Sequence, residues 1–270
     1  MILTVFLINI PPSLGPIQVK IGDDNYKFNP DEVETVRPDL FQNGSFSIFD
    51  VLVHLNSTGE VDLKYHFNAT MNTFVIDSLN GEINWWYKAY YSGGFQEKNV
   101  FRIDNSPWKP GTRIILYQED PSYIDHVYST FEEEVARLAN NNGTVTIPTV
   151  VIIGDSFSLN FFNITPTPHD MRDDLFQNNV MTALDVIMTL GDLGNITYEL
   201  KWFDSMGRAG YVHNYFVSRI NTDQTVGRCG FLYDVGDEDF RYPGPNYIYL
   251  AADARIIVSQ EYLSFFWGCL

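Results

Sequence analysis

The apolar and polar positions along the chain alternate in short runs, and similar runs follow one another in both halves. Alternation with a period of two is typical of strands with one buried face. The first half contains VDLKY, FVIDSLNG, WWYKAYYSGG and TRIILY, and the second contains ITYELKWF, YFVSRIN, RCGFLYDV and ARIIVS. Ahead of these runs, VKIGDDNYKF (19–28) and VIIGDSFSLNFF (151–162) each predict a strand, a Gly-Asp turn and a second strand.

The pentapeptide DLFQN occurs at Asp39–Asn43 and again at Asp174–Asn178. Over the 17 positions that start at each copy, eight residues are identical without a gap. We also take ARIIVS as the counterpart of TRIILY. A repeat of this length indicates that the two halves arose by duplication.

Each copy of DLFQN leads into a predicted helix start. SIFD at Ser47 and TALD at Thr182 match S/T-x-x-D, a variant of the capping box. The acidic residue would lie in the first turn, where the helix dipole favours a negative charge. Apolar residues spaced by three and four then predict a short helix, which needs a sheet to pack on because it is too short to be stable alone.

A third, longer helix is predicted between the halves. Apolar residues from Ile124 to Leu138 recur at helical spacing, and NNNG follows as a C-cap. We interpret the run Glu132–Glu134 as its solvated face. The predicted fold is α+β, with two tandem duplicated domains (1–120 and 142–270), each a mostly antiparallel sheet with one short packed helix, and a bridging helix at 121–141.

The order of these segments resembles the transcobalamin-like C-terminal domain, an uncharacterised family of secreted and cell-surface proteins. The resemblance rests on SIFDVL and TALDVI, FVIDSLNG and YFVSRINTD, WWYKAYYSGG and GFLYDVGDE, and WKPGTRIILY and AADARIIVSQ. The chain departs from the family at turns, where Thr222-Asp223 replaces Gly and Gly111-Thr112 lacks the family's Asp. In the family's cobalamin carriers, a large helical domain completes the corrinoid site. We recognise no such domain in this sequence and therefore expect no cobalamin binding.

The net charge and the N-glycosylation sequons limit the classes of protein to which this chain can belong. The net charge of −17 argues against nucleic acid and anionic membranes as partners, and no apolar run is long enough to span a bilayer. Chance can produce sequons in a chain rich in Asn and Thr, but six of them favour an extracellular or cell-surface glycoprotein carrying N-linked glycans. The sequons are at Asn43, Asn56, Asn68, Asn142, Asn163 and Asn195. The two cysteines, Cys229 and Cys269, would then form a disulfide, the alternative being two unrelated buried thiols.

Catalytic signatures are missing from the sequence, so we predict a protein that is not an enzyme and needs no cofactor. The five histidines are scattered without metal-binding spacing, and GDEDF (236–240) is either a solvated turn or a calcium loop. One aromatic cluster is a candidate binding face, unless strand alternation buries part of it. It consists of Trp85, Trp86, Tyr87, Tyr90 and Tyr91.

Both ends of the chain are apolar and read as strands, which either complete their own domains or add to a neighbouring molecule. The residues concerned are Ile2, Leu3, Val5, Phe6, Leu7, Ile8, Ile10, Phe265, Phe266 and Trp267. The first functional hypothesis is therefore an extracellular structural subunit that assembles with copies of itself into a filament, tube or surface layer. The alternative is a secreted or cell-surface binding module for a small ligand, a glycan or a corrinoid. That alternative requires a concave pocket with convergent polar groups between the domains.

Overall fold

The computed structural model describes residues 19–90, 101–206, 210–236 and 250–269. Its fold is α+β. The helices are α1 (Ile48–Ser57), α2 (Pro121–Asn140) and α3 (Ala183–Asp192). The strands are β1 (Val19–Ile21), β2 (Asp24–Tyr26), β3 (Leu63–Asn68), β4 (Thr73–Leu79), β5 (Trp85–Tyr90), β6 (Arg113–Gln118), β7 (Ile147–Ile153), β8 (Ser158–Ile164), β9 (Tyr198–Phe203), β10 (Asn214–Ile220), β11 (Asp223–Gln224), β12 (Cys229–Gly236) and β13 (Tyr262–Cys269). None of the helices among the described residues is long and apolar enough to cross a membrane.

Two units of the same topology follow one another, a first unit (19–118) and a second unit (147–269). The first contains the sheet β2-β1-β6-β5, and the second contains β8-β7-β13-β12 in the same order. The pairs β1–β6 and β7–β13 are parallel, and the other pairs in these sheets are antiparallel. The hairpins β3–β4 and β9–β10 complete the correspondence.

The predicted helix starts form as expected. Ser47 and Asp50 make a reciprocal capping box at α1, and the carboxylate of Asp185 accepts hydrogen bonds from the backbone N–H and the hydroxyl of Thr182 at α3. Both acidic side chains are buried. Each helix packs its apolar side into the core of its own unit, which supplies the stability that so short a helix lacks in isolation.

Helix α2 packs against the first unit. Its residues Ile124, Val127 and Phe131 are buried in the same apolar cluster as the first unit's sheet, and the ring of Tyr128 lies 5.7 Å from that of Trp86. Within the described residues, the second unit has no helix equivalent to α2.

The interpretation of Glu132–Glu134 as a solvated face is wrong for Glu134. This residue is 5% exposed, and its carboxylate forms an ion pair with Arg102, which also stacks over Phe131. The reason is helical geometry: position 134 lies four and seven residues after the buried positions 130 and 127, so it shares their side of the helix.

The C-terminal strand also differs from its prediction. Residues 255–258 do not form a strand, and β13 is the true counterpart of β6. Strand β13 lies in the middle of its own sheet, where Leu263–Phe266 pair with β7 on one side and β12 on the other. Phe265 is buried, and Trp267 packs edge-on against Phe231. The expectation of an assembly strand is therefore wrong for Phe265 and Phe266, whose strand is paired on both sides, and Trp267 is paired with Phe231 of β12. The N-terminal assembly residues, Ile2 to Ile10, lie outside the described residues.

The two copies of DLFQN pair with each other. Gln42 N–H donates to the carbonyl of Leu175 at 3.0 Å, and Gln177 N–H donates to the carbonyl of Leu40 at 2.8 Å. Because 42 and 177 are equivalent positions, as are 40 and 175, the contact is symmetric, like the interface of a twofold dimer. We call this contact the DLFQN ladder (39–43 and 174–178).

Side chains complete the DLFQN ladder in the same symmetric way. The amide of Gln42 donates to the carbonyl of Phe176 at 3.1 Å, and the amide of Gln177 donates to the carbonyl of Phe41 at 2.9 Å. The rings of Phe41 and Phe176 meet at 5.5 Å and are almost fully buried. The repeated sequence thus joins the two units.

Candidate functional site

A cavity of about 620 Å³ opens between the two units beside the DLFQN ladder. We call it cleft A. It is lined by Pro30, Asp31, Val33, Gly44, Ser45, Phe46, Pro107, Trp108, Lys109 and Pro110 of the first unit and by Arg172, Asp174, Leu175, Tyr211, His213, Asn214, Leu250 and Ala254 of the second. Its volume lies within the range of about 300–1,000 Å³ that is usual for small-ligand sites.

The first unit contributes a fixed aromatic wall to cleft A. The indole of Trp108 stacks on Phe46 with centroids 5.0 Å apart and planes 12° apart, and Phe28 meets it edge-on at 5.6 Å. The backbone N–H of Trp108 donates to the carbonyl of Phe46 at 2.9 Å. These contacts hold the indole in one orientation before any ligand arrives.

The second unit contributes a buried ion cluster. Arg172 binds both oxygens of Asp174, at 2.8 and 3.1 Å, and its other nitrogen reaches Asp253 at 2.9 Å. Burial lowers the pKa of Arg172, but the two carboxylates outweigh it and raise the pKa overall, so the guanidinium stays charged. Asp253 is fully buried, whereas the side chain of Asp174 is 59% exposed and faces cleft A.

Lys109 extends from the first unit to the second. Its ammonium donates to the carbonyl of Val212 at 3.0 Å and to Oδ1 of Asn214 at 2.7 Å. Asn214 in turn donates to Asp253 at 2.8 Å, which links Lys109 to the ion cluster. Burial lowers the pKa of Lys109 to about 8, Asp253 acts in the opposite direction, and Arg172 adds to the lowering. Near neutral pH the group is therefore a cation that gives up its proton more readily than an ordinary lysine.

A second aromatic pair lies across cleft A. The rings of Tyr211 and His213 stack at 3.9 Å with planes 6° apart, and Trp202 meets His213 edge-on at 5.7 Å. His213 has a positive φ of 47°, a conformation that is uncommon outside glycine, asparagine, aspartate and histidine. That backbone conformation places the imidazole beside the tyrosine.

A second cavity, of about 580 Å³, occupies the equivalent place in the other half, and we call it cleft B. Each cleft is lined by the start of one DLFQN copy and by the residues that follow the other copy. Cleft B is lined by Asp39, Leu40, Asn72, Leu138, Gly143, Thr144, Val145, Thr165, Pro166, Asn178, Asn179, Val180, Met181, Ile256, Ile257 and Val258.

Equivalent hydrogen bonds show which residues of the two clefts correspond. Ile257 N–H donates to the carbonyl of Met181, as Trp108 N–H does to that of Phe46. Ile257 therefore stands where cleft A has Trp108, and Val258 stands where it has Lys109.

A second pair of equivalent hydrogen bonds identifies the residue of cleft B that corresponds to His213. Thr73 and Asn214 both donate to the buried aspartate of their own unit, Asp104 or Asp253. The residues before them, Asn72 and His213, are therefore equivalent. The buried cluster itself is present in both units, since Arg37 binds Asp39 and Asp104 as Arg172 binds Asp174 and Asp253.

The predicted aromatic binding face is wrong for its central members. Trp85, Trp86 and Tyr87 are 8%, 4% and 0% exposed, since Tyr87 points into the core and Trp86 lies under α2. Tyr90 is half-buried, and Tyr91 lies outside the described residues. The aromatic side chains of cleft A come from other positions, 46, 108 and 211.

The other predicted sites are separate from cleft A or lie on its rim. Among the sequon asparagines, Asn43, Asn142, Asn163 and Asn195 are exposed, and Asn56 and Asn68 are half-buried. Asn43 precedes Gly44 and Ser45, which line cleft A. A disulfide joins Cys229 and Cys269 at the end of the β12–β13 pair. The GDEDF candidate calcium loop begins at Gly236 and otherwise lies outside the described residues, and the described residues contain no group of His, Cys, Asp and Glu placed to hold a metal.

No family model, curated protein or solved structure matches this chain. The resemblance to transcobalamin-like domains therefore stays a prediction. Sequence reasoning also missed the residues that build cleft A, although one signal was present: the repeat extends upstream as RPDLFQN and RDDLFQN, which includes both buried arginines, Arg37 and Arg172.

Proposed function

We propose that this protein is a binding module, not an enzyme, that holds a small polar ligand in cleft A. One observation carries the proposal: two equivalent clefts flank the same ladder, and only cleft A has an aromatic wall, a lysine and an imidazole at the positions that differ. Apolar walls with a few fixed polar groups are the general pattern of small-ligand sites. The fold does not require these side chains, because cleft B is built by the same topology without them.

A fragment screen tests the proposal. Several hundred small compounds of mixed chemical class are screened against the full chain by saturation-transfer NMR. The screen is repeated on the variant Trp108→Ile with Lys109→Val, which gives cleft A the side chains of cleft B. Ile257→Val in cleft B is the matched control. Hits that disappear in the double variant and persist in the control support the proposal, whereas a hit list unchanged by the double variant overturns it.

We place the protein outside the cell or at its surface. The disulfide between Cys229 and Cys269 supports this, because such bonds persist in oxidising compartments. Four exposed sequon asparagines are accessible to glycosylation there. Intact-mass measurement before and after enzymatic removal of N-glycans, on protein from its native source, tests the placement. An unmodified mass with two free thiols would contradict it.

Self-assembly is the second candidate function, and one feature favours it. Strand β8 is the edge of its sheet, and it carries Phe162, which is 65% exposed and pairs with Thr149 of β7. An exposed edge strand with apolar side chains is a template for pairing with another chain. Sedimentation of the full chain over a hundredfold range of concentration tests this: a monomer throughout excludes it, and polymer that is lost in Phe162→Lys supports it.

A further inference from the structure

We infer that the ligand of cleft A is a neutral saccharide; this inference rests on the proposed binding role of that cleft. The first reason is the charge of the walls. Cleft A presents both signs, with Lys109 and Arg172 against Asp31 and Asp174. Arg172 is 8% exposed and already bound by Asp174 and Asp253, and the ammonium of Lys109 is bound by Val212 and Asn214. An anionic ligand would therefore compete with these partners and meet the carboxylates, and a cationic ligand would be repelled by Lys109. A neutral molecule with many hydroxyls is repelled by neither, because a hydroxyl both donates and accepts.

The second reason is the free hydrogen-bonding capacity of the aspartate. Both oxygens of Asp174 accept from Arg172, yet the side chain is 59% exposed. Each carboxylate oxygen has two lone pairs, so each can still accept a hydroxyl proton from a ligand. Arg172 fixes the carboxylate in one orientation, which suits recognition of a particular hydroxyl pair.

The third reason is the aromatic surface. A pyranose ring has one face of C–H groups, which carry a slight positive charge and are attracted to the negative face of an aromatic ring. Trp108 is immobilised by Phe46 and Phe28, and Tyr211 is stacked on His213, so both rings are fixed in place. A flat apolar surface beside oriented polar groups matches a sugar, which is itself apolar on its faces and polar at its edge.

Cleft B provides the internal contrast. It has a similar volume and an equivalent aspartate, Asp39, but Ile257 and Val258 replace the indole and the ammonium. It therefore lacks the stacking surface. Saccharide binding should be confined to cleft A.

Titration by saturation-transfer NMR on the full chain tests the inference with three probe sets. The neutral set contains glucose, galactose, mannose, N-acetylglucosamine and their β-linked disaccharides. The anionic set contains glucuronic and sialic acids, and the cationic set contains choline and glucosamine. We expect binding within the neutral set. Tyr211→Leu and Trp108→Leu should each weaken it about tenfold, as loss of a stacking contact worth ~1.4 kcal/mol would, and Ile257→Leu in cleft B should leave it unchanged.

Two variants are used because Trp108 and Tyr211 are both half-buried but only Trp108 packs against an apolar core, so its replacement also perturbs the fold. Circular dichroism checks both variants. Binding of anionic or cationic probes in preference to neutral ones overturns the inference but leaves the binding role in place. So does the absence of saccharide binding when the fragment screen yields cleft A hits. Saccharide binding that is insensitive to both variants also overturns it. If neither saccharides nor fragments bind, the binding role itself fails, and the inference fails with it.

Discussion

Cleft A and cleft B are built by the same topology around the same ladder, yet cleft A has Trp108, Lys109 and His213 where cleft B has Ile257, Val258 and Asn72. Beneath each lies the same cluster, in which a buried arginine binds one buried aspartate and one exposed aspartate. The cluster that both units share therefore stabilises the fold. The side chains that differ between the clefts are the candidates for function. The rims do not differ in this way, since the sequon of Asn43 contributes Gly44 and Ser45 to cleft A, and those of Asn142 and Asn163 contribute Gly143, Thr144 and Thr165 to cleft B.

The largest expected effect separates the shared cluster from the differing walls. Asp104→Ala and Asp253→Ala should each destabilise the fold by about 3–5 kcal/mol, because each leaves a buried arginine with one carboxylate fewer. Urea unfolding followed by circular dichroism measures this. Only Asp253→Ala should also weaken binding at cleft A, because Asn214 loses its acceptor and no longer orients Lys109. Equal effects of the two variants on binding would contradict the division between fold and function.

The disulfide offers the next comparison, since it is present only in the second unit. Replacing Cys229 and Cys269 by Ser should cost roughly 4 kcal/mol for a loop of about 40 residues on the chain-entropy model. Hydrogen exchange should then show faster opening of β12 and β13, whereas the equivalent strands β5 and β6 stay protected. Uniform loss of protection across both units would show that the two halves unfold as one cooperative body.

Local sequence predicted the parts of the fold that depend on local contacts. The capping boxes at Ser47 and Thr182 and the turns after Ile21 and Ile153 need only a few neighbouring residues, and all formed as expected. Duplication was readable for the same reason, because the repeated segment is short and ungapped. The helical spacing of the buried residues also predicts that Glu134 is buried. Its charge led to the opposite interpretation.

Strand pairing and contacts between segments far apart in the sequence could not be predicted. ARIIVS resembles TRIILY in composition, but the segment from Ala251 to Ile257 is held by hydrogen bonds to the α3 start, and the strand begins only at Tyr262. Alternating apolar residues occur in both stretches, so periodicity alone could not choose between them. Cleft A combines residues more than 100 positions apart, such as Lys109 and Asn214, and no local pattern brings these together.

A smaller effect distinguishes the lysine of cleft A from the valine of cleft B. Because the pKa of Lys109 is about 8 in the folded chain and near 10.5 when unfolded, the unfolded state binds more protons between those values. Stability should therefore rise with pH across this window, by roughly 2 kcal/mol after allowance for partial exposure.

Lys109→Val should abolish the rise, and Val258→Ala in cleft B should preserve it. Unfolding free energies measured at pH 7.5, 9 and 10.5 check both. A saccharide bound in cleft A should alter the slope only in chains that retain Lys109.

The smallest effect concerns the two capping carboxylates. In the first unit Asp50 is held by Thr35 and Val36, whereas in the second His169 lies between Asp185 at 3.1 Å and Asp192 at 2.9 Å. Burial lowers the pKa of His169, but the hydrogen bonds to Asp192 and Asp185 outweigh it and raise the pKa overall.

A raised histidine pKa stabilises the fold fully below the unfolded value near 6.5, and this stabilisation is lost as the pH rises through the folded value. His169→Thr, which removes the imidazole from between Asp185 and Asp192, should therefore cost about 1 kcal/mol at pH 5.5 and less at pH 8.5. Thr35→Ser in the first unit should produce the same small change at both pH values. Melting temperatures of wild type and both variants between pH 5.5 and 8.5 test this. A difference between wild type and His169→Thr that stays constant with pH would show that the imidazole contributes only as a neutral hydrogen-bonding group.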